Sequence, residues 1–445
     1  MNTPIADFLK SYAESETIRF HMPGHKGRGR LGCEKLDITE IQGADFLYES
    51  DGIIAESESI ASKLFGTRKT CYSTEGSSQC IRAMLYLALT QRKEKALPLI
   101  VAARNAHKAF IYAAAALDFD IKWIYPEKTD SLCRCDISVS QLEETLKSLP
   151  APPAAVYITS VDYLGGIADI ASFAEICHKH GTVLAVDNAH GAYLHFLENP
   201  VHPIDLGADV CCDSAHKTLP ALTGGAYLHI GKNAPESFAE NAKSAMELFG
   251  STSPSYLIMA SLDLCNEYIA DGYKERLAGC AERVYSVKTT LAENGWSIEK
   301  SDPLRITLNA PRGSTGIKLA QMLREQGIEC EYADRQFVVF MATAENSDTD
   351  FEKLISALGE NKNGKAEEPK LTLAKAERVL SVREAMFKSK EKVLTENAIG
   401  QICASPTVSC PPAIPIAVSG EKIDENAVRL FEYYGIEKVE VINRS

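Results

Sequence analysis

The chain has no apolar run long enough to cross a bilayer. Its first residues, Met1-Asn2-Thr3-Pro4, lead into a mixed amphipathic segment rather than a secretory h-region. No membrane partner and no export signal are expected, and the expected location is the cytoplasm. Basic charge is also scarce: 47 Lys and Arg stand against 60 Asp and Glu, a net charge of -13. That balance argues against a nucleic-acid binder or a protein that docks on anionic lipid. There is no internal repeat and no low-complexity tract. The usual zinc spacings are missing too. Many of the 13 cysteines sit in apolar runs (Cys71, Cys177, Cys211, Cys212), which reads as reduced core thiols. Cys133-Arg134-Cys135 is too tight for a zinc knuckle, so no metal is expected there.

What is present suits a soluble, multidomain chain. The 445 residues exceed one ordinary core, and 45% hydrophobic with 24% charged residues is normal for globular proteins. The expected parts are an N-terminal arm (1–45), a large domain (46–265), a small α/β domain (266–360) and a C-terminal domain (370–445). A polar, glycine-bearing linker at 359–369 joins the last two.

Taken in order, residues 4–17 read as an amphipathic helix. Arg19-Phe20-His21-Met22-Pro23-Gly24-His25-Lys26-Gly27 then reads as an irregular basic loop, either a solvated arm or a site lining. Residues 54–65 have helical spacing, with Gly66 as the stop. Lys69–Thr74 is a plausible strand, followed by Glu75-Gly76-Ser77-Ser78 and a helix to about Thr90. Strand-like runs recur at Leu97–Ala103, Asp120–Ile124, Ala154–Thr159, Thr182–Val186, Ala208–Cys212 and Ala226–Ile230. Helical patterns lie between them, including 139–148 with a Ser140–Glu143 capping-box pattern. This βαβα rhythm predicts a mostly parallel sheet covered by helices, an α/β fold. Residues 234–249 and a long stretch from about Leu257 to Asn294 read as helical. The segment 303–357 alternates strands and helices and reads as a small α/β domain, and the last 75 or so residues read as a helix-rich α+β piece around a proline-rich loop at 410–421.

In open α/β sheets, ligands bind beyond the carboxyl ends of the strands. Ser77, His107, Ser160, Asp187 and Lys217 all fall at such ends. A strand-end acid, a loop lysine and a glycine-serine turn suit pyridoxal phosphate. The lysine bonds the cofactor's aldehyde, the acid pairs with the ring nitrogen, and the turn holds the phosphate. Each element alone has an ordinary reading: a solvated lysine, a structural acid, a serine N-cap. Their order lowers that reading without naming a cofactor.

The motifs His21-Met22-Pro23-Gly24-His25-Lys26-Gly27, Gly76-Ser77-Ser78, His107-Lys108 and Asp187-Asn188-Ala189-His190-Gly191 are followed by Ser214-Ala215-His216-Lys217-Thr218 and Ser251-Thr252-Ser253-Pro254-Ser255-Tyr256. As a set, in this order over residues 20–425, they resemble the bacterial ornithine/lysine/arginine decarboxylases. The resemblance implies the aspartate-aminotransferase-like fold type I and a short form without the N-terminal wing domain. It implies a homodimer with the active site at the subunit interface and a basic amino acid as small-molecule substrate. It also implies a role in polyamine supply. By that resemblance Lys217 carries the cofactor, Asp187 meets the ring nitrogen and His107 stacks on the ring. Gly76, Ser77, Ser78, Ser214 and His216 surround the phosphate, and Thr252 or Ser253 reaches it from the partner. His190, His216 or Lys217 returns the proton at Cα, and Glu421 is the candidate for the substrate's distal cation.

Three positions depart from the family pattern. Ala413 replaces the glycine of the proline motif, Asn188 replaces the acid usual after Asp187, and Glu75 stands where an amide is common. A transaminase or lyase on the same fold is the rival reading, with Arg305 as its α-carboxylate candidate. A cofactor-binding protein without catalysis is a second. Arginine, lysine and ornithine are not separable at this level.

Overall fold

A computed structural model describes residues 1–91, 97–127, 132–366, 373–408 and 414–443. The chain opens with α1 (Pro4–Glu14), α2 (Ile53–Leu64), β1 (Lys69–Ser73) and α3 (Ser77–Thr90). β2 (Leu99–Ala103), α4 (Lys108–Leu117), β3 (Asp120–Ile124) and α5 (Val139–Lys147) follow. Next come β4 (Ala155–Thr159), α6 (Ile170–Lys179), β5 (Val183–Asp187), β6 (Val210–Asp213), the single turn α7 (Ala215–Thr218) and β7 (Ala226–Ile230). α8 (Glu236–Glu247), α9 (Tyr256–Ala270) and α10 (Tyr273–Glu293) lead to β8 (Arg305–Asn309), α11 (Gly316–Glu325), β9 (Tyr332–Ala333), β10 (Phe337–Met341) and α12 (Asp348–Leu358). The last stretch holds α13 (Val382–Met386), β11 (Lys390–Leu394), β12 (Thr407–Val408), β13 (Ala417–Val418), α14 (Glu425–Tyr433) and β14 (Lys438–Ile442).

The chain forms two compact units. The first takes residues 1–94, 154–160 and 169–276; the second takes 95–153, 161–168 and 277–445. In the first, the strand order is β1-β7-β6-β5-β4. β4, β5 and β6 run parallel, while β7 lies antiparallel to both β6 and β1. Their apolar residues are buried almost throughout, as expected of strands covered on both faces. α3 packs on β6 and β7 and buries Cys80, Ile81, Met84, Leu85 and Leu87. Each such large apolar side chain contributes on the order of 1.5–3 kcal/mol. In the second unit, β2 and β3 pair in parallel, and β8-β10-β9, β11-β14 and β12-β13 are antiparallel. The C-terminal strands and α14 enclose a core that includes Ile414, Ile416, Ile423, Phe431 and Val441.

Most expected elements are present within a residue or two. Four details differ. The long helical stretch is two helices, because Gly272 adopts φ 68° and breaks it. The capping box of α5 is Ser138 with Gln141, not Ser140 with Glu143: Ser138 Oγ accepts from Gln141 N–H, and Gln141 Oε1 accepts from Ser138 N–H. The start of α3 is capped by Gly76, which leaves Ser77 and Ser78 as its first helical residues. The C-terminal piece is α+β as expected, with more strand than a helix-rich piece would hold. Ala413 and part of the 359–369 linker lie outside the described residues. Among the described residues the cysteines are free thiols, and no helix is long and apolar enough to cross a membrane.

Candidate active site

The run Val183-Leu184-Ala185-Val186 drives β5 into the sheet and leaves Asp187 at its carboxyl end, buried. Three neutral groups hold that carboxylate. Tyr157 on β4 donates its hydroxyl to Oδ2 at 2.9 Å. The Ala189 N–H donates to Oδ1 at 3.3 Å, and the Cys212 thiol approaches the same oxygen at 3.7 Å. Burial, then the charge of Asp187, pushes the Tyr157 phenol well above its ordinary value, so it stays a donor. No cationic side chain of the first unit bonds Asp187 among the described contacts, so the acid can meet a cation from outside the chain.

The adjacent strand β6 ends at Asp213, and α7 then turns Lys217 outward at the same end of the sheet. Lys217 is half-buried, and its Nζ lies 2.8 Å from His190 Nε2. An amine and an imidazole at that separation share a proton through one hydrogen bond. His216 Nδ1 lies 2.9 Å from the Gly225 carbonyl. A carbonyl only accepts, so Nδ1 carries a proton and donates it.

A third element completes the group. Gly76 adopts φ 70°, which an L side chain rarely tolerates, and donates its N–H to the Gly224 carbonyl at 2.8 Å. A Cβ there would meet nothing within 4 Å, so space lies open in front of the turn. The N–H groups of Ser77 and Ser78 are the first of α3, beyond reach of its own carbonyls. Ser214 Oγ donates to Ser77 Oγ at 2.9 Å and ties the lysine turn to this helix start. Gln79 fixes the first turn: its amide donates to Tyr48 Oη and the Met246 carbonyl and accepts from Ser73 Oγ. Thr252 sits exposed on the turn between α8 and α9, where the Ser251 N–H is bonded to Glu75.

These residues fit pyridoxal phosphate. N–H groups and hydroxyls at a helix start suit a phosphate, a buried acid without a cation suits a protonated ring nitrogen, and a half-buried lysine suits the aldehyde. In the first unit the structure gathers Gly76, Ser77, Ser78, Asp187, His190, Ser214, His216 and Lys217 at neighbouring strand and helix ends. Tyr157 was missed by sequence reasoning, because a tyrosine inside an apolar strand looks like core.

The other candidates belong to the second unit. His107 caps α4, its Nδ1 accepting from the Ala109 N–H at 3.2 Å. Glu421 is a correction: it is not an open acid waiting for a distal cation. It is 3% exposed, and Arg104 clamps both its oxygens at 2.6 and 2.7 Å. The Val418 N–H adds a bond at 2.8 Å. Arg104 is itself fully buried, packed over Trp123 and Tyr125. Arg305 is committed as well, to the Asp162 carbonyl at 2.6 Å and to Asp302 at 3.1 Å.

Residues 3–310 match the family model described as "Orn/Lys/Arg decarboxylase, major domain". The uncharacterized protein YaaO of Bacillus subtilis is 28% identical over 457 residues, 96% of this chain and 93% of that protein. An arginine decarboxylase of Halalkalibacterium halodurans is 28% identical over 95% of this chain and 91% of its own. Lysine decarboxylase A from Pseudomonas aeruginosa superposes with a TM-score of 0.82 at 17% identity, covering 99% of this chain and 80% of that one. That likeness shows the aspartate-aminotransferase-like fold. With the lysine, the strand-end acid and the phosphate turn in place, the chain belongs to the Orn/Lys/Arg decarboxylase family and is a pyridoxal-phosphate-dependent amino-acid decarboxylase.

Proposed function

We propose that this enzyme removes the α-carboxylate of a basic amino acid and that arginine is its substrate, ahead of lysine and ornithine. The observation that carries the catalytic reading is Lys217 Nζ 2.8 Å from His190 Nε2, one strand over from buried Asp187. The choice of arginine is supported by the arginine decarboxylase that aligns along 91% of its length.

Pyridoxal phosphate, when bound, supplies an electron sink for the pair left on Cα as carbon dioxide departs. The residues do the rest. Asp187, held by neutral donors, would face the ring nitrogen and favour a proton on it. Ser77, Ser78, Ser214 and His216 hold the phosphate. Lys217 anchors the cofactor and, with His190 beside it, moves the proton to Cα. His107 would help hold the cofactor, and Thr252 would complete the phosphate site of a partner copy in a homodimer. Association is supported by the exposed apolar side chains of the N-terminal arm: Ile18, Phe20 and Leu31 are 80%, 91% and 88% exposed. The amine product fits polyamine supply.

The transaminase reading loses its candidate arginine, because Arg305 is buried and already bonded. The test measures carbon dioxide released from arginine, lysine and ornithine, with Lys217→Ala as control. Gas from arginine fastest, and none from the variant, is expected. Keto-acid formation without gas on any of the three would sink the decarboxylase reading.

A further inference from the structure

A second acid lies directly behind this site. Asp213 is fully buried at the end of β6. Its Oδ1 accepts from Asn188 Nδ2 at 2.7 Å. Its Oδ2 faces His202 Nε2 at 3.0 Å and His229 Nε2 at 3.1 Å. With Cys211, His202 and Asp213 resemble a metal donor set. Proton placement argues otherwise. The Ile204 N–H points at His202 Nδ1 at 3.3 Å, so that nitrogen is the acceptor and Nε2 carries the hydrogen. A protonated nitrogen donates to a carboxylate and cannot ligate a metal. Burial, against the pull of Asp213, holds His229 below its ordinary value, so it too is neutral. Asp213 is therefore an anion held by three neutral donors.

The position of the Asn188 bond matters more than its strength. Asn188 directly follows Asp187, and its own N–H donates to the Cys212 carbonyl at 3.0 Å. Asp213 directly precedes Ser214, which bonds Ser77, and stands four residues before Lys217. One side-chain bond thus joins the exit of the acid-bearing strand to the entry of the lysine turn. The Asn188 Oδ1 is buried without a partner. Turning the amide over would set that oxygen against the carboxylate, so the anion also fixes which way the amide lies.

We propose that the Asn188–Asp213 pair is a positioning pair that sets Asp187 and the Lys217 turn in register for the cofactor, and that it works only as one acid facing one amide. The proposal rests on the assignment of Lys217 and Asp187 to the cofactor. It also accounts for the departure at position 188: the acid that the family pattern places there stands across the gap, at 213.

The test is an exchange. Asn188→Asp sets two carboxylates face to face in a dry site, and cofactor affinity, read by absorbance titration of the apoenzyme, should weaken at least about tenfold. The double variant Asn188→Asp/Asp213→Asn restores one acid and one amide, and the new amide's oxygen can still accept from both imidazoles. Its affinity should return to within about threefold of the parent, together with the parent's pH profile of the chromophore band. Parent-like affinity in the single variant, or a double variant no better than the single, overturns the proposal. Should the single variant fail to fold, Asn188→Ala removes the bond without adding charge. It should weaken binding about fivefold and shift the chromophore's pH profile. An unchanged affinity and profile there also overturns it. Lys217→Ala separates the underlying assignment: a persisting imine-type band in that variant would defeat the cofactor reading itself, whatever the exchange shows.

Discussion

In the first unit, Asp187 and Asp213 end neighbouring strands and receive hydrogen bonds from a phenol, a backbone N–H, an amide and imidazoles. In the second unit, Glu421 and Asp302 lie against guanidinium groups. All four acids are buried. The difference is in what remains of their charge. Neutral donors solvate a carboxylate and leave its charge intact, whereas a guanidinium cancels it. A site that must attract a protonated ring nitrogen needs the first arrangement, and a joint that must hold distant segments together tolerates the second. By that reasoning Asp187 is available for chemistry and Glu421 is not.

The comparison breaks first at the lysine. Lys217→Ala should lower decarboxylation by roughly a thousandfold or more while leaving the melting temperature of the apoenzyme near the parent's. A variant that retained even a tenth of the activity would show that the polar cluster of the first unit is structural. Next in size is the clamp of the second unit. Glu421→Gln leaves the Arg104 guanidinium buried without a counter-charge and should cost about 3–5 kcal/mol in urea unfolding. Replacing both partners by apolar residues should recover most of that. A small loss in the single variant would mean that Glu421 is free enough to meet a substrate after all.

Tyr157→Phe removes one neutral donor from Asp187. It should cost about 1.5 kcal/mol, seen as roughly tenfold weaker cofactor affinity with little change in fold. The last effect shows only as a dependence on pH and concerns Asp162, an acid of the second unit whose burial outweighs the pull of Arg134 and Arg305. Burial pushes its carboxyl up to about 6. The folded state therefore binds a proton more tightly than the unfolded state. The associated stability is complete below the ordinary carboxylate range and is lost as pH rises through about 6. Asp162→Asn keeps an oxygen for the Leu164 and Gly166 N–H groups. Parent-minus-variant stability should fall by about 2–3 kcal/mol between pH 4 and 7. A flat difference would remove Asp162 from the comparison.

Much of the first unit was legible in the sequence, because its signals are local. An apolar run ending in Asp187, a glycine followed by two serines, and a lysine just past a buried strand can each be read within a few residues. Alternation of strand and helix then places those ends together. What could not be read was pairing at a distance. Tyr157 meets Asp187 across 30 residues, and Arg104 meets Glu421 across 317. No periodicity encodes either contact. Asp213 lies just past the apolar run Ala208–Cys212, yet it is the last residue of its strand, buried with the side chains on which the turn rests. The capping box of α5 was misplaced by two residues because the local pattern occurs twice, at 138–141 and 140–143, and only packing chooses between them.

The clamp on Glu421 also bears on synthesis. A ribosome lays down the guanidinium at 104 long before the carboxylate that will neutralise it, which stands 317 positions later. Until then a strand end destined for the dry interior carries a naked positive charge. A transcript cut short before codon 421 would therefore yield a polypeptide flawed near its beginning, not merely one missing its tail.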